Sequence, residues 1–492
     1  MGSAGTTSES FDVLIVGAGI SGINTAHYLQ SRGPPGLTYT ILERRGRMGG
    51  TWDLFQYPGI RSDSDIFTFG FSWNPWQGDV PIVSGPKICA YLSESAALSG
   101  IDTKIRYDHR VLSADWSSES STWTVKARRG KDHEEGQEMV YRAKFIVLGT
   151  GYYDYDQPFE ATIPGIESFK GPVIQPQFWP SNLNYTNKNI VVIGSGATAV
   201  TLVPSLAEDA KHTTMLQRSP SYIYSMPMKT NLLTRLMRWL LPRMLTGYIL
   251  RMQYALYHAL LYHYCQRFPN AARRLIMGKA KKQLPPGYKV DPHFNPRYGP
   301  WDQRLCVVPD GDFFAAIRSG KASVVTDTID MVTEDSIRLR SGEVLRPDII
   351  VASTGIKLSF AGGIKFSIDG VPYDPPSKYT FKACMLQDAP NLAFIIGYAN
   401  SSWTLGAEST AVFLTRLWST MASKDIKVVV PRAQNPEKMK PLPPLGLTST
   451  YVKAGAKHMP MGGEGLWAPR RNHLRDMYDA SWCDVLEGLE TH

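Results

Sequence analysis

The sequence is poor in cysteine and has no long, wholly apolar run. Its five cysteines, Cys89, Cys265, Cys306, Cys384 and Cys483, stand far apart in 492 residues, and no Cys-x-x-Cys occurs. The odd number and wide spacing argue against a disulfide framework, a zinc site and a dithiol redox centre. No metal site is expected. No stretch of about 18 uncharged apolar residues is present, so no transmembrane helix is expected. Met1 to Ser10 are small and polar and lack the apolar core of a secretion signal. The chain therefore reads as a reduced, cytoplasmic protein. Gly2 followed by Thr6 matches the N-myristoylation pattern, which short small-residue tails often match by chance.

A second absence is local. Between Ala210 and Val290 there is no Asp or Glu, against 14 Lys and Arg. The whole chain carries 53 basic and 44 acidic residues, a formal charge of +9, and without that segment the net falls to −5. The basic character is thus not a whole-surface property, and nucleic acid is not an expected partner. Anionic cofactors remain, as does peripheral contact of this one segment with an anionic membrane. With 43% hydrophobic and 20% charged residues, the composition is that of a folded globular protein. The length suits more than one domain of about 150 residues.

Against these absences stand two glycine turns. Phe11 to Val16 is a short β-branched run leading into Gly17-Ala-Gly19-Ile-Ser-Gly22. An amphipathic stretch from Ile23 to Gln30 follows, and a second apolar strand, Tyr39 to Leu42, ends at Glu43. Strand, Gly-x-Gly-x-x-Gly, helix, strand and terminal acid together form a dinucleotide-binding pattern. Gly17 permits the tight turn, Gly19 lets a pyrophosphate approach the backbone, and Gly22 lets helix and strand pack closely. The helix N-terminus offers N–H donors to phosphate, and Glu43 can accept from a ribose hydroxyl. A further glycine pair, Gly49 and Gly50, just after the acid points to FAD rather than NAD.

Asn189 to Ile193 repeats the pattern, running into Gly194-Ser-Gly196-Ala-Thr-Ala199 and an apolar helix. Its second strand ends at Gln217-Arg218-Ser219, with no carboxylate at the ribose position. A guanidinium can pair with a 2′-phosphate, so this site reads as NADPH. Two apolar strands ending in Thr-Gly, Phe145 to Gly151 and Asp348 to Gly355, suit the points where the chain leaves and re-enters the first domain. The expected fold is α/β, with two Rossmann-like dinucleotide-binding domains, the second inserted in the first. Residues 1–154 and 346–492 would form the FAD domain and 155–345 the NADPH domain, with a helical insertion at about 228–300. The insertion, rich in Leu, Met, Tyr and Arg, is expected to pack over the active site; its sharper reading is a surface for membrane or apolar substrate.

On these motifs the chain resembles the class B flavoprotein monooxygenases, and among them the Baeyer–Villiger monooxygenases of the mycobacterial ethionamide-activating group. The resemblance runs over about residues 11 to 420. It rests on Gly49-Gly-Thr-Trp-Asp-Leu54, Tyr57-Pro-Gly-Ile-Arg-Ser-Asp63, Ile193-Gly-Ser-Gly-Ala-Thr-Ala-Val-Thr201 and Trp301-Asp-Gln-Arg-Leu305. The family fingerprint is present as Phe169-Lys-Gly171-Pro-Val-Ile-Gln175-Pro-Gln-Phe-Trp179-Pro180, with Gln175 in place of the central His. Trp179 favours the Baeyer–Villiger branch. Gln175 keeps hydrogen-bonding capacity but not titration.

The resemblance implies conversion of ketones to esters or lactones through a C4a-peroxyflavin, with NADPH and O2 consumed and sulfides also oxidised. It implies Arg304 as the cation that holds the peroxide and Asp63 as its partner; the Arg61-x-Asp63 spacing favours Asp63 over Asp65. For FAD it implies Ser21, Glu43, Gly50, Thr51, Trp52, Asp53, Leu54, Asp63 and Val111. For NADP it implies Arg61, Ser62 and Asp63, the loop Ser195, Gly196, Ala197, Thr198, Ala199, Val200 and Thr201, and Gln217 with Arg218. Asn400 and Trp403 fall at the substrate pocket, where a buried aromatic can equally be core. The alternatives are an N- or S-oxygenase without C–C insertion, or an uncoupled NADPH oxidase or flavin redox protein, because of Gln175. The last 60 or so residues carry no interpretable motif.

Overall fold

The computed structural model describes residues 8–131, 136–229, 232–470 and 472–492. The Gly2 pattern lies outside the described residues. The chain opens with strand β1 (Glu9–Val16), helix α1 (Ile20–Arg32) and β2 (Tyr39–Leu42). Two one-turn helices follow, α2 (Thr51–Leu54) and α3 (Ile66–Phe69). Next come β3 (Ile105–Arg106), β4 (His109–Ser117), β5 (Thr122–Arg129) and β6 (Gln137–Leu148). β1 lies between β2 and β6, parallel to both, with Val16 opposite Leu42 and Leu148. β3 extends this parallel sheet beyond β2, while β5 and β4 continue it antiparallel beyond β6. One face carries α1 and the other a core around Trp116 and Trp123.

The second unit begins with β7 (Val173–Ile174), β8 (Asn189–Ile193), α4 (Ala197–Ala207) and β9 (His212–Gln217). Three basic helices come next, α5 (Leu232–Leu240), α6 (Arg243–Arg267) and α7 (Pro269–Gln283). The unit closes with β10 (Ala322–Thr326) and β11 (Ile349–Ala352). Its sheet is wholly parallel, in the order β10-β9-β8-β11-β7. β11 corrects the expected boundary. It is a central strand of this second sheet, beside β8, so the insertion runs past residue 345. The return crossing lies after it, where Leu358 bridges to Tyr153 and Asp154 N donates to Lys357 O at 2.8 Å. The chain then supplies β12 (Leu392–Phe394), parallel to β6, and α8 (Trp403–Ser423), packed on α1.

The glycine turns sit where these registers require them. Gly17 follows β1 with φ +101°, and a Cβ there would stand 2.7 Å from Gly149 O. Gly22 is tighter still: its Cβ would meet Gly17 O at 1.9 Å, which is how α1 comes to lie against its own turn. Gly194 takes φ +141°, with its Cβ 2.2 Å from Ser353 O.

Candidate active site

Both turns open into one cleft of about 1200 Å³ at the carboxyl ends of the two parallel sheets. That is where an open α/β sheet binds its ligands. α1 and α4 start at Gly19 and Gly196 with no side-chain cap, so their first N–H groups remain available to an anion.

On the first side, Glu43 is only 4% exposed and lines the cleft. Its carboxylate accepts from Ala18 N at 2.7 Å and Arg45 N at 2.9 Å, tying the end of β2 to the glycine turn. Burial pushes its pKa up, and the two backbone N–H groups pull it back. Gly50 abuts Gly19, where a Cβ would stand 3.3 Å from its Cα. Thr51 Oγ1 lies 3.1 Å from the Tyr155 hydroxyl, and Ser21, Trp52 and Val111 also line the wall. Asp53 is placed elsewhere. Its carboxylate pairs with Arg45 at 2.7 Å and Arg47 at 3.1 Å, a structural bridge outside the lining, and Leu54 packs against the second unit's core.

On the second side, Gly194, Ser195, Gly196, Ala197, Thr198, Thr201 and Arg218 line the cleft. Ser195 Oγ donates to Ser219 O at 2.8 Å and accepts from Ser221 Oγ at 3.1 Å, closing the loop on itself. Ala199 and Val200 are core residues of α4. Gln217 is buried and donates to His293 O at 2.8 Å and Thr326 Oγ1 at 2.9 Å, so it holds strands together behind the cleft. Arg218 is exposed and reaches Thr450 Oγ1 at 3.4 Å.

Between the two sides lies a pair of charges. Arg304 donates Nε to Asp63 Oδ2 at 2.7 Å and Nη2 to Oδ1 at 2.8 Å, with Ser64 Oγ 3.1 Å from Nη2. Its side chain is 37% exposed, to the cleft, and Asp63 raises its already high pKa. Asp65 does a different job. It is fully buried, caps α3 by accepting from Thr68 N at 2.8 Å, and lies 3.0 Å from His258 Nε2. Arg61 bridges the units through Asp312, at 2.5 Å and 3.3 Å. Ser62 Oγ donates to Ser64 O at 2.8 Å, shaping the same loop.

Several lining residues were not anticipated. Tyr152 and Tyr153 follow the Thr-Gly end of β6; their hydroxyls are 2.6 Å apart beside Arg304, and burial raises both pKa values. Their position at a strand's carboxyl end was the available signal. Leu445, Leu447, Ser449, Thr450 and Tyr451 also line the cleft, so the motif-free tail is part of the site. Arg340 joins Arg218 among the lining cations. Trp403 stacks on Tyr152 at 5.0 Å and donates Nε1 to Ser21 Oγ at 2.9 Å, while Asn400 stands outside the lining.

The fingerprint segment is an edge of the second sheet. A Cβ on Gly171 would meet Asp348 O at 2.6 Å, which explains that glycine. Gln175 precedes a 3-10 turn and accepts from Phe178 N through its carbonyl at 2.9 Å. The side-chain bond to the crossover linker comes instead from Gln177, whose Nε2 donates to Asp154 O at 2.6 Å.

These features fit FAD at the first turn and NADP at the second. At both turns the backbone is bare of Cβ and the helix ends are uncapped. The buried Ser353 hydroxyl on the cleft wall has no hydrogen-bond partner among the described residues. All five cysteines are free.

A family model described as pyridine nucleotide-disulphide oxidoreductase matches residues 14–254, a range that contains both glycine turns. Among solved structures, the polycyclic ketone monooxygenase of Thermothelomyces thermophila superposes with a TM-score of 0.77 at 16% identity, covering 99% of this chain and 90% of that one. A steroid monooxygenase bound to NADP superposes with a TM-score of 0.75 at 19% identity, covering 98% and 99%. These show a shared fold. The FAD-containing monooxygenase EthA of Mycobacterium tuberculosis is 46% identical over 473 residues, 96% of this chain and 95% of its own. EthA of Mycolicibacterium smegmatis is 44% identical over 473 residues, covering 96% and 94%. With such identity over nearly the full length of both chains, this protein belongs to the family of FAD-containing monooxygenases.

Proposed function

We propose that the protein is an NADPH- and O2-dependent Baeyer–Villiger monooxygenase that converts apolar ketones to esters or lactones and also oxidises sulfides. The observation that carries this reading is the bidentate Asp63–Arg304 pair, set in the cleft between the two nucleotide sites. Bound there, FAD would accept hydride from NADPH and activate dioxygen.

Asp63 occupies Nε and Nη2 of Arg304, which fixes the plane of the guanidinium and leaves Nη1 as its remaining donor. A guanidinium keeps its proton at any working pH. It therefore stabilises negative charge developing during oxygen transfer without quenching it. Tyr152, Trp403 and Tyr451 supply an aromatic wall that excludes water from that charge. Arg218 and Arg340 would hold the 2′-phosphate. The names of the structural neighbours, which include polycyclic ketone and cyclohexanone monooxygenases, support the ketone assignment.

A second reading rests on Gln175. Without a titratable group in the fingerprint, the protein would consume NADPH without C–C insertion, giving sulfoxide or peroxide. We place the enzyme in the cytoplasm, with the basic helices as its peripheral contact with membrane; among the described residues no helix is long and apolar enough to cross one.

Incubation of the purified holoprotein with NADPH, O2 and a panel of ketones and sulfides, followed by mass spectrometry, tests both readings. Ester or lactone is the expected product; sulfoxide or peroxide alone selects the second. Arg304→Ala is expected to retain FAD and its reduction by NADPH while ester formation drops at least about a hundredfold. Undiminished ester formation would remove Arg304 from the mechanism.

A further inference from the structure

An ordinary surface helix buries its apolar stripe, but α6 leaves most of its large apolar side chains outside. Its buried face is mixed, with Thr246, Gly247, Leu250, Arg251 and Cys265 buried and His258 half-buried. Its exposed face carries Leu245, Tyr248, Met252, Leu256, Leu260 and Tyr264, spaced three or four apart, with Leu260 60% exposed. α5 continues this apolar surface with Leu232 at 81% and Trp239 at 82% exposure.

The helix cannot roll to hide this face. Arg251 Nη2 donates to Glu408 Oε2 of α8 at 2.6 Å, and its Nη1 serves the carbonyls of Phe67, Thr68 and Gly70 at 3.1, 3.1 and 2.7 Å. His258 adds its 3.0 Å contact to Asp65. Breaking a buried, fully hydrogen-bonded pair of this kind costs more than covering a few leucines would return. The exposed stripe is therefore a fixed feature of the fold, large enough to require an occupant.

Charge narrows the choice of occupant. The segment from Ala210 to Val290 holds 14 Lys and Arg and no acid. Arg235, Arg243, Arg267, Arg274, Lys279 and Lys281 on these helices are exposed. Two copies of such a surface would repel each other, whereas an anionic bilayer complements both its charge and its apolar ridge. We propose that α5 and α6 dock this enzyme on anionic membrane, with Leu232, Trp239, Leu256 and Leu260 entering the headgroup–acyl boundary and the surrounding bases contacting lipid phosphate.

Through its buried side α6 backs onto a segment of the cleft wall. Arg251 and His258 hold the segment that carries α3, whose Thr68 lies 2.6 Å from Ser402 at the start of α8. Phe69 of α3 and Trp403 of α8 both line the cleft. The docked enzyme would thus take ketones that partition into lipid. Only that origin of the substrate rests on the proposed reaction; binding is measured without turnover, so the two can fail separately.

The test is co-sedimentation of the full-length holoprotein with vesicles of phosphatidylcholine, alone or mixed with phosphatidylglycerol. Binding should be at least about tenfold tighter to the mixed vesicles and should weaken with salt. The triple variant Trp239→Ser, Leu256→Ser, Leu260→Ser should keep its FAD spectrum and lose binding. Trp239→Phe should still bind but lose the part of the fluorescence that brominated lipid quenches in the parent. If the triple variant does not fold, Arg235→Glu together with the Trp239→Phe quenching measurement decides. Absence of binding to the mixed vesicles at low salt, or equal binding by the folded triple variant, overturns the proposal. So does an oligomer that the triple variant dissolves while vesicle binding is absent, which would assign the face to a second copy of the chain.

Discussion

The two glycine turns share one design and are finished differently. At the first, a buried carboxylate, Glu43, reaches back to the turn and clasps it, and the further pair Gly49–Gly50 closes over Gly19. At the second, the corresponding strand ends in a buried glutamine, and the exposed Arg218 reaches Thr450 Oγ1. Protein groups enclose one nucleotide site, whereas the other offers charge at its mouth.

The largest expected effect breaks the first turn outright. Gly22→Ala places a Cβ 1.9 Å from Gly17 O; it should cost about 3 kcal/mol or more and abolish FAD retention, read by flavin absorbance and thermal melting. The second turn already carries Ala199 at the matching position, and Gly196→Ala, at the position of Gly19, meets nothing within 4 Å and should leave the melt within about 0.5 kcal/mol. Glu43→Gln should cost about 1–3 kcal/mol, because an amide nitrogen would then face a backbone N–H, and FAD should dissociate on dilution. Arg218→Ala should leave flavin content unchanged and raise the KM for NADPH about tenfold to a hundredfold, with little change for NADH.

A more gradual effect concerns pH. Burial lowers His27 on α1 and His473 near α8 to about 4, aided by Arg32 for the first and by Arg251 and Arg470 for the second. Below the ordinary histidine pKa of about 6.5 the unfolded chain takes up protons that the folded one refuses. The stability these groups contribute is therefore whole above about 6.5 and lost as the pH falls towards 4. Melting followed by flavin release should show this drift. An unchanged melting temperature across that range would mean that neither ring is held neutral.

The sequence disclosed the two nucleotide folds because glycine spacing, strand and helix are local. Arg304 and Asp63 stand 241 positions apart, and only family resemblance joined them. What stayed hidden was relational. Apolar periodicity shows which residues of α6 share a face but not which way the face looks, since its orientation is set by Glu408, 157 positions from Arg251. Apolar strands ending in Thr-Gly looked alike at residues 151 and 355, yet β11 pairs with β8 and belongs wholly to the second sheet. Gln175 drew attention as the missing histidine, while the bond to the linker is made two residues later by Gln177.

Residues 61 and 63 merit a mechanical description. One is a cation held by Asp312 and the other an anion held by Arg304, and both partners belong to the inserted unit. Two fastenings of opposite sign, with one residue between them, clamp the inserted unit to the first. Reversing the sign at either position would set like charges face to face and loosen the joint that fixes the Arg304 guanidinium.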